Sequence, residues 1–248
     1  MMNDPHSTTA PRGSAQRMKR TALVLFALLL AAFGPAAQAQ SLSGVNGLVT
    51  VPTAEVSPDA TLTTGFNVLN RSALDYHAGR HHATSPYLSL AYLPFLEVGF
   101  RLTRADSEIE EAFGDRTVNA RVLLLGEGPR HPSLLVGIHD FVGQKRHFQS
   151  TYVVASKRLE DVPHLDHVSL HLGYGTRLLD AELYEFDGPF GGVAVAPSSG
   201  IRLLAEYTSS RVNVGLDAGP FRGMRILVGW MDFRAVSGGV SYSFVLPK

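Results

Sequence analysis

The feature that most constrains this chain is a two-residue alternation running from Arg211 to Phe244. It comes in three runs. In the first, Val212, Val214, Leu216 and Ala218 share one parity, and Asn213, Gly215 and Asp217 take the other. In the second, Met224, Ile226, Val228 and Trp230 oppose Arg225, Leu227 and Gly229. In the third, Val236, Val240, Tyr242 and Phe244 oppose Ser237, Gly239, Ser241 and Ser243. A strand sends successive side chains to opposite faces, so each run is a two-faced strand. One face is apolar, with aromatics near its ends. The other is polar or nearly bare. Two folds accept such strands: a soluble sandwich that buries the apolar face, or a transmembrane barrel that turns it to lipid.

Upstream, further runs follow at short spacing: Thr61–Leu69, Tyr87–Tyr92, Leu96–Thr103, Arg116–Leu125, Leu134–Phe141, Gln149–Leu159, His167–Thr176, Phe190–Ala196 and Ile201–Tyr207. With the three closing runs the count is twelve, an even number, as a single-chain bacterial barrel requires. Tight turns at Pro94, Pro197–Gly200 and Pro220–Gly223 alternate with longer connections at 70–86, 104–115 and 177–189. The polar faces mix Gly, Ser, Thr and Asn with isolated charges of both signs, and Lys is nearly absent from them. Soluble sheets use charge to stay soluble and to guard their edges. The apolar faces carry Phe66, Tyr92, Phe100, Tyr174, Tyr207, Trp230, Tyr242 and Phe244, many near strand ends, where interfacial girdles lie. The pattern predicts an all-β fold: an antiparallel transmembrane β-barrel of about twelve strands spanning residues 61–248.

Residues 40–60 are not a good strand. Gly44, Gly47, Pro52 and Pro58 punctuate them. Leu48–Val51 has the composition to pair briefly, with Pro52 ending the pairing. The segment is expected to plug or line the barrel, inside or against it.

The N-terminus speaks to compartment. Met18-Lys19-Arg20 is basic, Thr21–Phe33 is apolar, Gly34-Pro35 breaks the run, and Ala37-Gln38-Ala39 offers small residues before Gln40. This is the layout of a secretory signal peptide over residues 1–39, with Met18 an alternative start and cleavage near Ala39. No later apolar run is long enough for a spanning helix, so an integral protein must be a barrel. The expected location is the outer membrane of a Gram-negative bacterium, with its lipid as a partner. The chain has 22 basic and 22 acidic residues, which gives no electrostatic case for nucleic acid. It has no Cys, which excludes disulfides and thiolate metal sites.

Four segments carry a resemblance. They are Ser43–Leu62 (Ser-Gly-Val-Asn-Gly-Leu-Val-Thr-Val-Pro-Thr-Ala-Glu-Val-Ser-Pro-Asp-Ala-Thr-Leu); Arg121–Leu125 followed by Pro132–Gly143; Ser150–Leu159; and Val168–Gly175. In this order they resemble the YjbH family of outer-membrane proteins associated with exopolysaccharide production. Typical members are longer. The resemblance implies a barrel linked to extracellular polysaccharide, with polysaccharide and periplasmic export or assembly proteins as partners. It carries over no catalytic residue.

Chemistry is sparse. His77, His81 and His82 share one loop, and His164, His167 and His171 lie near one strand. His167 and His171 stand roughly 13 Å apart along a strand, too far to share an ion, so no metal site is expected. No nucleophile elbow, phosphate loop or dinucleotide fingerprint occurs. The acidic run Asp106 to Glu111 reads as an exposed loop. No catalytic residue and no cofactor are expected, and the chain reads as a non-enzyme. The candidate constellation is the polar parity of the strands: Glu97, Arg101, Asn119, Arg121, His139, His171, Arg202, Glu206, Asn213, Asp217 and Arg225. These residues are expected to face the lumen. There they build a paired structural network or line a polar path that touches a saccharide or the N-terminal segment. The functional expectation is exopolysaccharide export or surface organisation. The alternatives are a scaffold for a periplasmic partner, a small pore or, from a third class, an outer-membrane enzyme.

Overall fold

A computed structural model describes residues 40–70, 75–76, 79–80, 82–105, 115–142, 149–179 and 185–247. Its strands are β1 (Thr61–Leu69), β2 (Asp75–Tyr76), β3 (Gly79–Arg80), β4 (Ala83–Leu93), β5 (Leu96–Ala105), β6 (Asp115–Leu125) and β7 (Ser133–His139). They continue with β8 (Ser150–Leu159), β9 (His167–Thr176), β10 (Gly188–Ser198), β11 (Ile201–Tyr207), β12 (Val212–Ala218), β13 (Met224–Met231) and β14 (Ala235–Val245). β2 and β3 form a small sheet of their own. The other twelve form one closed antiparallel barrel in which each strand pairs with its neighbour in sequence. β1 closes it between β4 and β14, from Thr61↔Val245 to Val68↔Gly238 on one side. No helix occurs among the described residues.

The twelve-strand expectation holds, with local corrections. β4 begins at Ala83, not Tyr87, and runs through Pro86. Proline cannot donate to a ladder, and the β4–β5 register passes from Thr84↔Arg104 to Tyr87↔Arg101 across it. β10 likewise runs through Pro197 to Ser198, where the register shifts between Val195 and Ser198. β7 stops at His139, because Asp140 takes a positive φ of 50° that leaves the extended region.

The two faces decide between sandwich and barrel. The apolar parity is the exposed one: Leu172 is 70% exposed and Tyr92 68%. The polar parity is sealed: Glu97 and Arg121 are 1% exposed and Asp217 0%. A sandwich would show the reverse. Most of the exposed aromatics lie toward the two rims, with Phe66 and Phe100 between them. Tyr92, Phe95 and Phe221 lie at the end where β1 starts and β14 finishes, and Tyr174, Tyr207 and Trp230 at the opposite end. This is the girdle pattern of a transmembrane barrel.

Inside, residues 40–54 are buried almost throughout. Leu42, Leu48, Val49, Val51 and Ala54 pack against inward residues of the wall, among them Leu135, Val154, Phe190, Leu204, Leu227 and Met231. The lumen therefore holds an apolar core between segment and wall, which the mostly polar inward parity did not announce. The bare inward positions make room for it. A methyl group built on Gly192 would meet Leu48, and one on Gly215 or Gly229 would meet Val49. Elsewhere a glycine faces an aromatic across the ladder. Gly65↔Tyr87, Gly137↔Tyr152 and Gly173↔Phe190 are direct partners, with each ring lying over its glycine.

Candidate functional site

The site is the sealed lumen. The N-terminal segment enters as a coil of tight turns. Gly44, at φ 78°, donates to the Ser41 carbonyl, and Ser41 N donates to the Val45 carbonyl. Gly47 then pairs with Pro52 across a turn in which Leu48 N donates to the Val51 carbonyl. Leu48–Val51 is thus the tip of a turn, not a pairing strand. Pro52 takes the last paired position before the chain leaves.

A coil in a lumen leaves backbone groups that no ladder satisfies, so wall side chains must serve them. Glu206 does this at the tip. Its carboxylate accepts from Val49 N at 2.9 Å, Thr50 N at 2.9 Å, Val51 N at 3.0 Å and the Thr50 hydroxyl at 2.7 Å. Asn213 Nδ2 adds a donor at 2.7 Å. Successive amides converging on one carboxylate form a nest, a backbone concavity that suits an anion.

A second anchor lies across the bore. Arg121 and Glu97 pair at 3.2 Å, fully buried. Glu97 also accepts from Asn46 Nδ2 at 3.0 Å and from Ser57 N at 3.4 Å. Arg121 donates to the carbonyls of Thr53 and Glu55. Breaking one half of such a buried pair costs about 3–5 kcal/mol, because a charge is left uncompensated.

A third group has two cations on one anion. Asp217 accepts from Arg202 Nε at 2.9 Å and from Arg225 Nε at 3.1 Å. Arg202 also reaches the Gly47 carbonyl at 3.5 Å. A fourth ties in the connection after β9: Glu185 accepts from the Ser43 hydroxyl and bonds His139 Nδ1 at 2.8 Å. His139 Nε2 lies 3.3 Å from the Tyr152 hydroxyl. Burial pushes the Glu185 carboxyl up, but His139, Arg101 and Ser43 outweigh it and hold the group below the ordinary 4.5. Glu55 is lowered in the same way, its burial outweighed by Arg202, His171 and Arg158.

Every residue of the polar constellation sits on the inward face. Glu97, Arg121, Arg202 and Glu206 touch the segment directly. His171 acts through Ser156, whose hydroxyl meets His171 Nδ1 at 2.7 Å and accepts from Ala54 N at 2.7 Å. Asp217 and Arg225 form their own cluster. Asn119 and Asn213 accept from the backbone of Asp140 and Asp232, where β7 and β13 end. Arg101 reaches the Thr117 hydroxyl at 3.3 Å. Sequence reasoning missed Asn46, Ser156, Glu185 and Asn67, whose Nδ2 donates to the Leu42 carbonyl at 2.9 Å. Asn67 and Ser156 have the inward parity and were legible. Glu185 lies in a connection, where parity has no meaning.

Among the described residues, no group of three or more His, Asp or Glu side chains is placed to hold a metal ion. His167 pairs with Asp166 and His171 with Ser156. His77, His81, the acidic run Asp106 to Glu111 and residues 1–39, where a signal peptide is expected, lie outside the described residues.

The YjbH family model, described as exopolysaccharide biosynthesis protein YbjH, matches residues 39–183. Among solved structures the chain is similar to a KdgM porin, at 12% identity and a TM-score of 0.47, over 75% of this chain and 99% of that one. No curated protein matches the chain.

Proposed function

From the premise that the chain belongs to the YjbH family of exopolysaccharide biosynthesis proteins, we propose that it is an outer-membrane barrel, closed by its own N-terminal segment, that takes part in exopolysaccharide export or surface organisation. It acts without an enzymatic step. The signal peptide is removed near Ala39, which releases the segment that fills the lumen. The apolar, aromatic-rimmed outer face supports the membrane location.

The observation that carries the reading is the clamp on Val49, Thr50 and Val51 by Glu206. It favours a closed state over a standing pore. The buried carboxylates Glu97 and Glu206 are also acceptors of the kind that saccharide hydroxyls pair with, so a polymer that displaced the segment would find them in place.

Planar-bilayer recording tests the reading together with a polysaccharide assay. The intact protein is expected to give no conductance steps, and a variant lacking residues 41–57 is expected to give them. Cells lacking the protein are expected to secrete or retain less exopolysaccharide, with restoration by the intact chain. Unchanged polysaccharide overturns the role. Steady conductance from the intact protein overturns the closed state. No conductance from either form counts against a conduit and favours the second reading, a scaffold for a periplasmic partner.

A further inference from the structure

We infer that the mature chain begins with a pyroglutamate formed from Gln40 and sealed inside the lumen. The inference rests on the cleavage after Ala39 proposed above.

Gln40 is 4% exposed. Its tight surroundings include Asn67, Tyr87, Arg225, Leu227 and Ser241, with no carboxylate among the lining residues. Arg225 in this lining shares Asp217 with Arg202, and Glu97, reached from Gln40 only through Asn46, is paired with Arg121. One carboxylate between two guanidiniums leaves the cluster with net positive charge. Cleavage before Gln40 would place an α-ammonium beside it. A further buried cation next to Arg225 is strongly disfavoured, both by desolvation and by like charge. Gln40 Oε1 is also buried and has no hydrogen-bond partner.

An N-terminal glutamine has the chemistry to remove that charge. The α-nitrogen attacks the side-chain Cδ, forming a C–N bond. The Cδ–Nε2 bond breaks, and Nε2 leaves as ammonia with the extra proton, as ammonium. No electron is transferred and no co-reactant is consumed. The product is a neutral five-membered lactam with one N–H and one ring carbonyl. The departing Nε2 is the atom that donates to Asn46 Oδ1. Asn46 keeps its own donor bonds to Glu97 and Ser57 through Nδ2, so the segment stays anchored after ring closure.

The test is the chemical state of the N-terminus in protein taken from cell envelopes. Free amines are dimethylated in denaturant before digestion, so that ring closure during handling is prevented. Between Gln40 and Asn70 there is no Lys or Arg, so trypsin releases residues 40–71 as one peptide. The expected peptide begins at Gln40, carries no dimethyl group and is lighter by one ammonia than the synthetic open form. A dimethylated Gln40 overturns the proposal and leaves the cleavage standing. A peptide with a different first residue overturns the cleavage and the proposal together.

Discussion

Removing the Glu206 carboxylate should unseat the lumenal segment. In Glu206→Ala, the amides of Val49, Thr50 and Val51 lose their acceptor in a buried space, as do the Thr50 hydroxyl and Asn213 Nδ2. A buried donor left without an acceptor costs about 1–3 kcal/mol. Water entering the vacated space offsets part of the sum, which leaves about 3–5 kcal/mol. At about 1.4 kcal/mol per tenfold, the unseated fraction rises by roughly two to three and a half orders of magnitude. The chain has no Cys, so Val45→Cys creates a unique thiol at a position 1% exposed. Its reaction rate with a water-soluble maleimide reads the unseated fraction when reseating is fast. Val45→Cys alone should label slowly, and adding Glu206→Ala should speed labelling about a hundredfold or more. Glu206→Gln should fall between, because its amide keeps one carbonyl oxygen. Equal rates in all three would refute the idea that Glu206 holds the segment.

Gly137→Ala drives a methyl group into the Tyr152 ring and should cost about 1–3 kcal/mol in thermal or denaturant unfolding. Gly99→Ala meets nothing nearer than 3.7 Å and should be tolerated; equal loss from both would sink the seating argument. Leu172→Arg puts a charge on the outer face near the middle of β9 and should cost about 2–4 kcal/mol in refolding into vesicles. No penalty there means that face does not meet lipid. Acid should loosen the segment. The Glu185 and Glu55 carboxyls lie below 4.5 in the folded protein, so each adds stability above its unfolded value and loses it as pH falls through the folded one. Heat resistance of the folded band on gels should drop below about pH 4 and do so less steeply in Glu185→Gln; a flat profile counts against both assignments.

Much of the wall was legible because period-two alternation is a local property. Val212 to Ala218 and Met224 to Met231 each state their two faces without help from the rest of the chain. The errors fell where another rule overrides composition. Pro86 looks like a stop in any single-strand reading, yet its missing donor matters only if the ladder calls on it. The inward set was legible for the same parity reason, and Glu97, Arg121 and Glu206 are all sealed in the lumen. Their partners were not legible. Glu206 binds main-chain amides of residues more than 150 positions away, and amides carry no side-chain signature.

Wall and segment specify each other more tightly than a pore and a stopper would. A closed barrel of this size leaves a bore that side chains alone do not fill. The wall widens it further at Gly192, Gly215 and Gly229, where the methyl groups of Leu48 and Val49 come closest. Those glycines would be plain gaps without the segment. The segment in turn is a coil, and a coil taken out of water needs acceptors for its amides. That need explains the sign of the charge at each anchor. Acidic Glu206 meets the N–H groups at the tip, whereas basic Arg121 meets the Thr53 and Glu55 carbonyls as the chain leaves. Swapping the signs would set like dipole ends against each charge. Opening the lumen therefore has to supply donors to Glu206 and Glu97 and acceptors to Arg121 together. Water can do that in part, and a solute rich in hydroxyl or amide groups can do it too, whereas an apolar solute cannot, however well it fits the bore.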